Sequence, residues 1–292
     1  MKALASYLAD ARARVDKVLA AATTGDEVVR YSLLGEGKRL RPTLVFAAHE
    51  ALNGSSSAGV AELAAAVEVV HAYSLIHDDL PCMDNDDLRR GRPTAHRAFD
   101  VSRATRAGYD MVALAADVLE RGLAMLALPD ARRREIALEL FRAAGAGGMI
   151  GGQALDLEAE AKALPIDALR EVHARKTGAL IAASCVIGGL SAGDDVSRDH
   201  IEALRAFGDT IGLAFQIADD VLDATATSDQ LGKTAGKDAA HAKATFVTLL
   251  GVGAARAEAE RLSAQAVDHL RDAGLVSPIL VELAHYMVTR PN

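Results

Sequence analysis

The sequence predicts an all-α protein. Across its 292 residues, apolar side chains recur three and four positions apart almost throughout. That spacing places them on one face of a helix. No β-branched segment alternates over a useful length, so no sheet is expected. The breaks, at NGSSSAG (53–59), Pro129, Pro165 and SAGDDVS (191–197), are too short and too weakly biased to be interdomain linkers. One domain over 1–292 is therefore expected.

Taken in order, the N-terminal MKALASYLADARARVD is amphipathic and lacks the unbroken apolar core of a signal peptide. VAELAAAVEVVHAYSLIH (60–77), ARRREIALELFRAAGAG (131–147) and IEALRAFGDTIGLAFQIADDVLD (201–223) all carry helical spacing. GAGGMIGGQALDLEAE (145–160) holds Gly147, Gly148, Gly151 and Gly152. A glycine inside a helix costs about 1 kcal/mol relative to alanine, so this number implies close approach of another helix or a ligand. GALIAASCVIGGLSAG (178–193) is apolar but shorter than the roughly 20 residues a membrane span needs. With net charge −8, a nucleic-acid partner has no electrostatic support. Cys82 and Cys185 form no disulfide framework, which suits a reducing compartment. A soluble, cytoplasmic protein without a membrane span is expected.

The chemistry is concentrated in two acidic clusters. SLIHDDLPCMDNDDLRRG (74–91) gathers five aspartates within ten residues and runs into paired arginines. Like charges this close raise one another's pKa and call for a partner. Asp78 and Asp84 are six apart, a spacing a regular helix does not align, but Pro81 interrupts the hydrogen bonding between them and can redirect the chain. His71 lies two turns before Asp78. In FQIADDVLD, Asp219 and Asp223 stack on one helical face, with Asp220 beside them and Gln216 one turn before. One such cluster is often a solvated helix end. Two, each ending an apolar helix, suit Mg²⁺, which takes a few carboxylates together with water and substrate phosphates.

The cations answer them. GEGKRLRP (35–42) carries Lys38, Arg39 and Arg41, and LRRGRP (88–93) carries Arg89, Arg90 and Arg92. Lys176 with Thr177, then Lys233 and Lys243, follow. A lone basic run is usually solvated surface, but arginine forks match phosphate oxygens. Metal-binding acids beside these cations describe a diphosphate site.

On these segments the chain resembles the trans-polyprenyl diphosphate synthases, and among them the bacterial farnesyl diphosphate synthases. GEGKRLRP, HAYSLIHDDLPCMDNDDLRRGRPTAH, GGQALDL, KTGAL and FQIADDVLD stand in the family's order. The resemblance implies an antiparallel helix bundle around a central cavity. It implies condensation of dimethylallyl or geranyl diphosphate with isopentenyl diphosphate to give farnesyl diphosphate, with geranylgeranyl diphosphate as the alternative product. Asp78, Asp79, Asp84, Asp219, Asp220 and Asp223 would hold magnesium, about three ions with substrate bound. Arg89, Lys176, Lys233 and Lys243 would contact the allylic diphosphate. Lys38, Arg41, His71 and Arg90 would bind isopentenyl diphosphate, and Thr177 and Gln216 would line the reacting region. Tyr73 and Ser74, just before the first cluster, would set product length. A homodimer is implied. TRAGYDM (105–111) departs from the family pattern, with Arg106 and Tyr109 bulkier and more polar than the family places there.

Three other readings compete. Glu68–His71 and Glu282–His285 are Glu-x-x-His pairs of the kind di-iron bundles use, but that reading leaves the aspartates and arginines unexplained. A catalytically dead partner subunit should have lost one acidic cluster, and a terpene cyclase needs no second diphosphate site. His49, His96 and His241 are expected as ordinary surface or boundary residues, and Cys82 and Cys185 as packed thiols.

Overall fold

The computed structural model describes residues 2–23, 25–159, 164–225, 244–275 and 277–290. The described chain is overwhelmingly helical, as the spacing predicts. The helices are α1 (Lys2–Ala22), α2 (Glu27–Leu33), α3 (Leu40–Asn53), α4 (Ala58–Asp78), α5 (Ala95–Ala98), α6 (Val101–Ala124), α7 (Asp130–Ala144) and α8 (Met149–Glu158). Then come α9 (Ile166–His173), α10 (Ala179–Ser191), α11 (Arg198–Thr225), α12 (Phe246–Leu250), α13 (Val252–Asp272) and α14 (Pro278–Thr289).

Side-chain caps set several starts. Asp26 accepts from the Val28 and Val29 N–H groups ahead of α2, and Asp100 accepts from Arg103 ahead of α6. Each satisfies amide groups that the first helical turn leaves without partners.

Two apolar clusters form the core. One centres on α4, α6 and α10. The other joins α11, α13 and α14 with parts of α3 and α10. Helix α4 is long and apolar enough to cross a membrane, yet most of it is buried in the bundle, the burial of a core helix. Helices α10 and α11 meet at backbone distance. A Cβ on Gly208 would lie 2.4 Å from the Ala182 Cα, so glycine permits the contact.

Between α9 and α10 the chain makes a single π-helical turn, Ala174–Gly178, a distortion that recurs at functional positions. After α4 comes a small hairpin that the sequence pattern did not reveal, β1 (Leu88–Arg89) paired antiparallel with β2 (Arg92–Pro93). Its two turn residues, Arg90 and Gly91, both have positive φ, 53° and 74°. That is the geometry a two-residue turn needs to match strand twist.

Three expectations need correction. His49 and His96 are buried rather than at the surface or boundary, and His241 lies outside the described residues. His49 is satisfied at both ring nitrogens, by the Ser191 hydroxyl and the Ser55 carbonyl, whereas His96 bonds the Thr94 hydroxyl through Nδ1 and leaves Nε2 buried without a partner. Cys82 is exposed, because the loop after Pro81 turns it outward; only Cys185 is packed. In 105–111 the bulky residues face solvent. Tyr109 is 67% exposed, Arg106 pairs with Asp110 one turn on, and Gly108 lies directly against the His77 ring.

Candidate active site

The first cluster sits where α4 ends. Beyond Asp78 the chain folds back through Pro81, and the Asp84 N–H donates to the Asp78 carbonyl at 2.8 Å. A six-residue separation thus becomes adjacency. Asn85, with φ 48°, completes the tight loop. Burial is the main influence on the Asp78 carboxyl. It pushes the pKa up to about 6 despite the opposing Lys176 ammonium, with Asp84 adding to the rise.

Asp79 is 4% exposed and is gripped by the Arg89 guanidinium, with Nε at 2.8 and 3.1 Å from its two oxygens and Nη2 at 2.5 Å. The hairpin aims Arg89 back at α4 in this way. It sends Arg90 the other way, to the Glu36 carbonyl at 2.7 Å. A Cβ on Gly37 would lie 2.7 Å from the Arg90 guanidinium, so the second glycine of GEGKRLRP makes room for it.

The basic loop divides its labour. Arg39 takes a left-handed backbone, φ 48°, and turns inward to Glu68 at 2.7 Å, Asp16 at 2.9 Å and the Leu33 carbonyl at 2.7 Å. It is structural, and it occupies the glutamate that a di-iron site would need. Lys38 and Arg41 are left toward the site. Arg41 Nη1 lies 3.3 Å from His71 Nε2. Arginine can only donate, so His71 accepts there and is neutral. Burial, reinforced by Arg41 and Arg90, holds its pKa well below the usual histidine range. Arg41 is itself lowered to about 10, chiefly by burial. A cavity of about 70 Å³ beside this group is bordered by Arg39, Glu68, His71, Asp79, Arg89 and Arg90.

The π turn connects the two acidic rims. From it, Lys176 Nζ reaches Asp156 Oδ2 at 2.7 Å, and the Thr177 hydroxyl donates to the Gln216 carbonyl oxygen at 2.9 Å. Gln216 stands one turn before Asp219 on α11. Glycine at 152 allows this arrangement, since a Cβ there would lie 2.1 Å from the Lys176 amide nitrogen. The close approach expected of the glycine-rich helix occurs at Gly152, whereas Gly147 faces open space.

In the second cluster, Asp219 bonds Arg290, whose guanidinium also stacks 3.9 Å over the Phe215 ring. Asp220 is buried and accepts from the Phe246 N–H at 2.8 Å. His173 lies 3.8 Å from it and stacks on Phe246. Asp223 follows Asp219 by one turn. Lys233 and Lys243 lie outside the described residues. Arg290, Asp156 and His173 were not found from the sequence. Arg290 and His173 lack a motif signal, while Asp156 stood within GGQALDL without an assigned role.

The donors that could hold a metal are carboxylates, hard ligands of the kind magnesium takes. Among the described residues no group of three or more His, Cys, Asp or Glu forms a ready-made metal site. An ion that shares its coordination with substrate oxygens and water fits this arrangement better than a closed protein cage does.

An overwhelmingly helical bundle whose two acidic clusters are met by Arg89, Lys176 and Arg290 defines an enzyme handling diphosphates. The chain belongs to the polyprenyl synthetase family, whose model matches residues 23–279, and is a prenyltransferase of isoprenoid biosynthesis. It is 45% identical to the farnesyl diphosphate synthase of Escherichia coli (strain K12) over 267 residues, 90% of this chain and 88% of that one. It is 43% identical to a chloroplastic heterodimeric geranylgeranyl pyrophosphate synthase large subunit of Arabidopsis thaliana, over 91% of this chain and 72% of that one. A geranyltransferase of Helicobacter pylori, solved with magnesium and isoprenyl diphosphate, superposes with TM-score 0.80 at 31% identity, covering 97% of this chain and 96% of that one.

Proposed function

We propose that the protein condenses dimethylallyl or geranyl diphosphate with isopentenyl diphosphate and releases farnesyl diphosphate. The observation that supports this reading is that the hairpin sends its two arginines to different partners, Arg89 to Asp79 of the first acidic cluster and Arg90 to the Glu36 carbonyl of the basic loop. Lys38, Arg41, His71 and Arg90 form one cationic group, beside the N-terminus of α3. Lys176 and Arg89 form the other, against the first acidic cluster. Two anions can thus be held at once, as a bimolecular condensation requires.

Asp78, Asp84, Asp219 and Asp223 are the residues that would hold magnesium, with Asp79 and Asp220 reaching it on release from Arg89 and Phe246. When bound, the ions, about three with substrate in place, neutralise the allylic diphosphate and stabilise the charge it gains as its C–O bond breaks. Lys176 and Arg89, with Lys233 and Lys243, add fixed positive charge on the same side. Neutral His71 uses Nε2 for Arg41 and so presents Nδ1–H as a donor to the second diphosphate. Thr177 and Gln216 hold each other beside the reacting carbons. The isopentenyl double bond supplies the electrons of the new C–C bond, and the proton lost from the product goes to the departing diphosphate.

Tyr73 is buried below the first cluster and supports a C15 product; C20 is the other reading. The protein is taken to act in the cytoplasm as a homodimer. Chromatography of products from purified protein with dimethylallyl and isopentenyl diphosphates tests the function. Farnesyl diphosphate is expected, with turnover abolished by a chelator and restored by Mg²⁺. Full turnover in excess chelator, or no prenyl product at all, would overturn it.

A further inference from the structure

A hairpin of two two-residue strands needs outside support, because an isolated two-stranded ribbon is marginally stable at best. This one also sets like charges against each other. Arg89 of β1 lies directly opposite Arg92 of β2, an arrangement that destabilises a strand pair. Asp79 takes Arg89 and the Glu36 carbonyl takes Arg90, but those contacts hold only β1 and the turn. Strand β2 is held from α2 by Tyr31. The Tyr31 hydroxyl donates to the Pro93 carbonyl at 2.7 Å, and the Arg92 guanidinium lies 4.1 Å over the centroid of its ring. Phe99 meets that ring edge-on, at 5.3 Å and an interplanar angle of 87°, which fixes the plane on which Arg92 rests.

We infer that Tyr31 is a positioning residue for both substrates, acting through β2 on the two arginines that β1 and the turn present. The inference rests on the function proposed above, which gives Arg89 to the allylic diphosphate and Arg90 to isopentenyl diphosphate. Stacking on Tyr31 draws the Arg92 charge away from Arg89 and leaves Arg89 to close on Asp79. The hydroxyl fixes the backbone of β2 at Pro93, the residue paired with Leu88 next to Arg89. Tyr31 also stands on the helix that runs into GEGKRLRP, so one side chain ties the hairpin to the segment that carries Lys38 and Arg41.

Tyr31→Ala removes the hydroxyl and the ring. KM for the allylic and the isopentenyl substrate should rise together, by about 10-fold, since a hydrogen bond and a cation–π contact each shift a local equilibrium several-fold. Tyr31→Phe keeps the ring and loses only the bond to Pro93, so both values should rise about 3-fold. Adding Arg92→Ala to Tyr31→Ala should raise neither value further, because the ring that Arg92 rested on is already gone. Wild-type KM values in a folded Tyr31→Ala protein, or in Tyr31→Phe where the Ala variant does not fold, would overturn the inference and leave the proposed function standing. A lower melting temperature with wild-type KM values would do the same, the role then being structural. A rise for isopentenyl diphosphate alone would also overturn it, since only the basic loop would then depend on Tyr31. A wild-type control that makes no prenyl product would overturn both.

Discussion

Arg290 at the end of α14 is bonded to Asp219 on α11, seventy-one positions earlier in the chain. The pair brings the last helix to the second acidic cluster, and the same guanidinium adds to burial, the main cause, in lowering the pKa values of Lys38 and Arg41. Arg290 is buried, while Asp219 remains partly exposed.

Arg290→Ala removes this bond and the stacking on Phe215. A charged hydrogen bond with its packing contributes about 1–3 kcal/mol, so the melting temperature should drop by several degrees. Arg290→Lys should recover only part of the loss, because an ammonium lacks the planar fork. An Ala variant that melts with the wild type would show that the pair contributes nothing measurable.

Asp78 carries a pH signature. Its folded-state pKa, raised to about 6, lies above its unfolded value. The stability linked to its protonation is therefore present below about pH 4 and is lost as pH rises through about 6. In metal-free buffer, Asp78→Asn should be more stable than the wild type at pH 8, and the difference should close on acidification to pH 4. Thermal melts across that window check it. A gap of constant size would mean that Asp78 ionises normally.

Gly152→Ala tests the seat of the π turn. The added methyl meets the Lys176 backbone, and overpacking of this kind costs about 1–3 kcal/mol. Displacing Lys176 and Thr177 should also lower kcat. Gly147→Ala, which meets nothing, is the control. It should be neutral or stabilising by up to about 1 kcal/mol. Equal melting temperatures and rates for the two variants would remove the packing argument.

Arg41→Ala should raise KM for isopentenyl diphosphate while leaving that for the allylic substrate nearly unchanged, because Arg41 stands against His71, whereas Lys176 is bonded to Asp156. Steady-state kinetics with each substrate varied in turn decide this. A rise confined to the allylic substrate would reverse the assignment of the two cationic regions.

Tyr73 is five residues before Asp78, so it lies about 7–8 Å further down α4. It is buried, with its ring edge-on to His77 at 6.1 Å. Tyr73→Ala should shift the main product from C15 toward C20 and longer without disturbing the aspartates. Ser74→Phe should shorten it toward C10. An active Tyr73→Ala enzyme that still stops at C15 would place the barrier on another helix.

The helices themselves were legible in the sequence because their signal is local. Spacing of three and four is read within one segment and needs no knowledge of the partner surface. The pairing of Asp219 with Asp223 was legible for the same reason. Other features depend on which groups meet across the fold. Arg39 reads like Arg41 in GEGKRLRP, and only the contact with Glu68, a helix away, makes one structural and leaves the other for the site. The burial that shifts Asp78 and His71 is set by neighbouring helices, and so is the outward turn of Tyr109. Arg290 sits outside any motif and reaches Asp219 only because α14 packs on α11. A side chain's chemistry is a property of its residue type, but its pKa, its partner and its access to a ligand depend on what the rest of the chain places within a few ångströms. Tertiary structure decides those.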